Sequence, residues 1–192
     1  MGDFKVDISD FISLLYFHLQ TKLFFMHFNF IAVLVAALVP MVMGFIWYNP
    51  KVMGNTWMRE CGLNEEKLKS ANMAVIFGLS FLFSLMLAFM MPMLVIHQAH
   101  VYSMLQHHDA ELKDPNSAVS ILMKNIMDTY GNEFRTFKHG MLHGFMSALF
   151  LALPVLATNA MFERKSWKYI WINWGYWALS FMIMGGIVSA WQ

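Results

Sequence analysis

Apolar residues run almost without interruption through four stretches of this 192-residue chain, and short polar segments separate them. The stretches are residues 28–48 (FNFIAVLVAALVPMVMGFIWY), 73–96, 140–161, and about 167–190. A bilayer-crossing helix needs about 20 mostly apolar residues, because backbone groups in lipid must bond within their own segment. The first three stretches hold no charged residue, and in the fourth Lys168 falls in the first turn. The pattern predicts an all-α integral membrane protein, a four-helix transmembrane bundle occupying residues 26–192. Residues 1–25 are apolar but carry His18, Gln20 and Lys22 behind Asp3, Asp7 and Asp10. They read as an N-terminal amphipathic extension lying at the interface, since a signal peptide begins basic and ends at small residues.

Small residues recur every four positions within these stretches: Ala32, Ala36, Pro40 and Gly44, then Gly140, Gly144, Ala148 and Ala152. The second offers Ser80, Ser84 and Ala88, and the fourth ends on Gly185, Gly186, Ser189 and Ala190. Lipid gives helices no hydrophobic reason to associate, so close contact relies on such residues. The stripes predict helices packed together, able to form a homo-oligomer or to hold another membrane protein.

Composition agrees with this reading: 58% of residues are hydrophobic and 13% charged, where soluble domains have about 25% charged. A net charge of +1 gives no basic stripe for nucleic acid. The single Cys61 excludes an internal disulfide and a cysteine-built zinc cluster. Lys51, Arg59, Lys67 and Lys69 lie in the first loop, and Arg164 and Lys165 in the third. By the positive-inside rule these loops face the cytoplasm and both termini lie outside it.

The stretch VAALVPMVMGFIWYNPKVMGNTWM, with Trp47, Tyr48, Asn49 and Pro50 followed by Gly54, Trp57 and Met58, resembles the bacterial membrane-protein family called domain of unknown function 1761. NEFRTFKHGMLHG, NAMFERKSWKYIWINWGYW and MGGIVSAW resemble a longer branch of it, so that the resemblance covers about residues 26–192. It implies a four-helix inner-membrane protein and no particular activity.

Chemistry must therefore come from the residues themselves. His97 and His100 are three apart and His139 and His143 four apart, spacings that put each pair on one helix face. Imidazoles so placed suit a transition metal, and haem would need one from each helix. The plainer reading leaves them at the wet rim, where an amphipathic ring is comfortable. Tyr48, Asn49, Asn72, Asn159 and Asn173 recur at one level and read as a polar cluster between helices. Arg135 and Lys138 are candidates for a lipid headgroup, or simple snorkelling anchors. No acid lies within the spans for an ion relay. No catalytic motif appears, so a binding, accessory or small-transport role is favoured over catalysis. Metal binding, and lipid binding or modification, are the alternatives.

Overall fold

A computed structural model describes residues 29–105 and 107–192. The expected N-terminal interfacial extension, residues 1–25, lies outside the described residues. Every regular element among the described residues is helical. They are α1 (Phe30–Trp47), α2 (Gly54–Cys61), α3 (Glu65–Lys69), α4 (Met73–Val95), α5 (His97–Leu105), α6 (Asp109–Lys113) and α7 (Ala118–Tyr130). After these come α8 (Phe137–Ser147), a π turn (Ala148–Ala152), α9 (Leu153–Phe162) and α10 (Trp167–Ala190). Among the described residues, three helical segments are long and apolar enough to cross a membrane: Phe30–Trp47, Met73–Val95 and Phe137–Phe162. Helix α10 has the length, but Lys168, Asn173 and its tryptophans and tyrosines dilute its hydropathy.

The chain divides into two compact units. One contains Gln98–Gly131. Within it the Ser117 and Ser120 hydroxyls donate to the Glu111 carbonyl, fastening α7 to α6. The Gln98 amide donates to the Tyr130 carbonyl at 2.7 Å.

The larger unit holds Asn29–His97 and Asn132–Gln192. Each of its long helical segments starts where a polar side chain satisfies an orphan backbone N–H. Asn29 accepts from Ala32, Asn72 from Val75, Thr136 from His139 and Ser166 from Tyr169. Helix α10 packs against α8, α1 and α4, and its burial follows from that central place. A helix surrounded by other helices has no need to be apolar towards lipid, which explains how α10 tolerates its polar content. The small-residue stripes lie at these contacts: Ala32, Ala36, Gly140, Gly144 and Ala148 are buried. A Cβ built on Gly140 would fall on the Gly185 carbonyl oxygen, and one on Gly144 would fall on that of Phe181.

Aromatic donors tie α10 to its neighbours. The Trp47 indole donates to the Ile172 carbonyl at 3.0 Å, and the Tyr176 hydroxyl to that of Pro40 at 2.9 Å. The Trp174 indole donates to the Ala148 carbonyl at 3.0 Å, which also accepts from Leu153 across the π turn. A π turn displaces the usual bonding partners by one residue, and a side-chain donor helps to hold that geometry. Trp174→Phe is expected to lower stability by about 1 kcal/mol, read as earlier thermal unfolding in detergent. An unchanged transition would show that the indole contributes nothing to the turn.

Candidate metal centre

The α8 end of the larger unit is built by a tight turn. Phe134 adopts φ 61°, the left-handed region that side chains with a Cβ rarely enter. Its carbonyl accepts from the Thr136 N–H at 2.8 Å, and Thr136 then caps α8 by accepting from His139. The Arg135 Nε donates to the Ser189 carbonyl at 2.8 Å, satisfying an orphan group in the last turn of α10 where positive charge is favourable. Burial pushes the Arg135 guanidinium below its ordinary value, yet it stays protonated at any physiological pH. With Gly140 seated on Gly185, the first turn of α8 is held on two sides.

On α8 the rings of His139 and His143 lie 4.6 Å apart between centroids. His97, the first residue of α5, brings a third imidazole at 5.1 Å from His139 and 5.0 Å from His143. The Nε2 atoms of His97 and His139 are 2.9 Å apart. One ligand atom from each of the three rings lies within 4.8 Å of the others. Two nitrogens bound to a tetrahedral zinc stand about 3.3 Å apart, given zinc–nitrogen bonds near 2.0–2.1 Å. That value lies between the 2.9 Å separation of the His97 and His139 Nε2 atoms and the 4.8 Å within which all three ligand atoms fall.

The surroundings suit coordination as well. The Leu94 backbone on α4 lies close enough to His143 to interact with its ring. The Phe134 ring packs edge-on to His97 and tilted against His139, at 5.6 and 4.9 Å. The Ser147 hydroxyl reaches back to the His143 carbonyl at 2.9 Å. His97 is exposed while His139 and His143 are half-buried, so the trio opens to the outside on one edge.

The remaining sequence candidates are distributed differently. His100 is exposed on α5 and is not one of the three converging histidines. Tyr48 and Asn173 meet, hydroxyl to side-chain oxygen, at 3.1 Å. Burial, and then Tyr176 beside it, push the Tyr48 phenol above its ordinary value, so it remains a neutral donor. Asn49 accepts from the Lys51 N–H in its own turn, Asn72 caps α4, and Asn159 is exposed on α9. Lys138 is exposed beside His139. Phe134 belongs to the site but was missed by sequence reasoning. A phenylalanine gives no sign of a left-handed turn.

Among the described residues the fold is all-helical, with three helices long and apolar enough to cross a membrane. The family described as a protein of unknown function (DUF1761) matches residues 31–189, and the chain belongs to that family. Neither a curated protein nor a solved structure matches it.

Proposed function

We propose that this chain is a metal-binding integral membrane protein of four spans, with α10 as the fourth, in the bacterial inner membrane. The observation that carries the reading is the convergence of His97, His139 and His143 from two separate parts of the chain. Three imidazoles are a donor set for zinc, copper, iron or nickel, and with one position left open they resemble the arrangement used in catalytic zinc sites. Phe45, Phe83, Met86, Phe150 and Val155 expose large apolar surface on α1, α4, the π turn and α9. That surface supports the membrane reading, because a soluble monomer rarely exposes so much. With the first and third loops in the cytoplasm, the histidines stand at the opposite face, where they would meet ions from outside the cell.

The test is the metal content of full-length protein purified in detergent without chelator, then dialysed against micromolar zinc. About one ion per chain is the expected result. Protein that stays metal-free, or takes up zinc no better than a His97/His139/His143 triple-alanine variant, would overturn the reading.

A further inference from the structure

Beneath the histidines lies a cavity of about 500 Å³, within the range of small-molecule sites. Its walls are almost entirely apolar: Leu87, Met90 and Leu94 on α4, Leu151 and Val155 across from them, and Trp177 on α10. We propose that cavity and histidines form one site for a single-chain amphiphile with a carboxylate head, a long-chain fatty acid, whose head binds the metal and whose tail fills the cavity. This rests on the metal reading given above.

Four observations support it. The first is continuity: Leu94 lines the cavity, and His97 of the trio follows it by three residues along the chain. The two compartments therefore adjoin at the end of α4. The second is length. Leu87 precedes His97 by ten residues, which at 1.5 Å per residue is about 15 Å of helix. Half the hydrocarbon core of a bilayer is also about 15 Å. A tail of ordinary membrane length would thus reach from the rim to the bottom of the cavity.

The third is charge. Neutral imidazoles leave a divalent ion with its full charge, and among the described residues the converging cluster holds only histidines. Lys138 beside His139 adds to the positive side. A partly buried charge of this kind needs a compensating partner, and an anionic oxygen in the open coordination position supplies one.

The fourth is the origin of the space. Gly140 and Gly144 press α8 onto α10, and the π turn and Pro154 then set α9 on a new register. Any membrane groove admits lipid tails, so the specific content of the inference is selection of the head by the metal.

The experiment uses the full chain in phosphatidylcholine nanodiscs, loaded with zinc and given palmitic acid carrying a photoreactive diazirine at its chain end. The methyl ester of the same probe is the comparison. The acid is expected to label residues 87–94 and 151–155 about tenfold more than the ester, the ratio that about 1.4 kcal/mol of head binding produces. Stripping zinc, or His139→Ala, should erase that advantage. Leu151→Trp and Val155→Trp fill the cavity from positions 55% and 61% exposed, which the fold tolerates. They should reduce labelling by the acid while zinc content stays unchanged. If zinc binds at the histidines but acid and ester label alike, or neither tryptophan matters, the amphiphile inference fails and the metal site stands. If zinc does not bind, both fall together.

Discussion

Gly140→Ala is expected to destabilise the protein by about 3 kcal/mol or more, at the upper end of what overpacking costs. The added methyl would meet the Gly185 carbonyl oxygen and the Ser189 Cβ, so α8 and α10 must move apart. The substitution is informative because its intrinsic sign is opposite: alanine in a helix is favoured over glycine by about 0.8–1.0 kcal/mol. Gly78 on α4 has open space around its Cβ position, and Gly78→Ala should therefore stabilise. Thermal unfolding of the two variants in the same detergent separates the contributions. Equal transitions would mean that the α8–α10 approach carries no stability. The first turn of α8 also carries His139, so separation of these helices should lower metal retention together with the unfolding temperature.

Single replacements of the converging histidines form the second large effect. His97→Ala, His139→Ala and His143→Ala should each weaken zinc binding by more than about a hundredfold, since loss of a mere supporting partner costs 10–100-fold. His100→Ala should leave it unchanged, because that ring is exposed and outside the trio. Competition against a chromophoric chelator reads all four. Each of the three side chains is exposed or half-buried, so removing it leaves no fully buried cavity and folding should survive. Four equal affinities would locate the metal elsewhere.

Much of this arrangement is legible in the amino-acid pattern. The stretches 73–96 and 167–190 coincide with Met73–Val95 and Trp167–Ala190 because apolar runs of that length have few alternatives to a helix. Spacing four signalled the Gly140–Gly144 contact and the His139–His143 pair, since neighbours on a helix face repeat at that interval. The partner of that pair was harder to foresee. His97 and His100 have a helical spacing too, yet His97 alone joins the trio, because that pairing depends on where α4 ends. The amides show the same limit. A shared level along the chain predicts proximity only if the side chains have no nearer partner, and Asn49 and Asn72 bond to their own turns. Asn173 is the amide that accepts from Tyr48 among the described residues.

The π turn was hidden for a related reason. The small residues at 140, 144, 148 and 152 keep their interval straight through it, as they would in an unbroken helix. One residue of offset rotates everything after it by about 100°, since an α-helix turns through 3.6 residues. The segment Phe137–Phe162 thus behaves as two dials on one shaft. Glycines and histidines before the offset are phased to α10 and the rim, while Val155 and its neighbours are phased separately to the cavity wall. Lengthening or trimming the chain by a residue at the turn would re-aim the second dial and leave the first where it is.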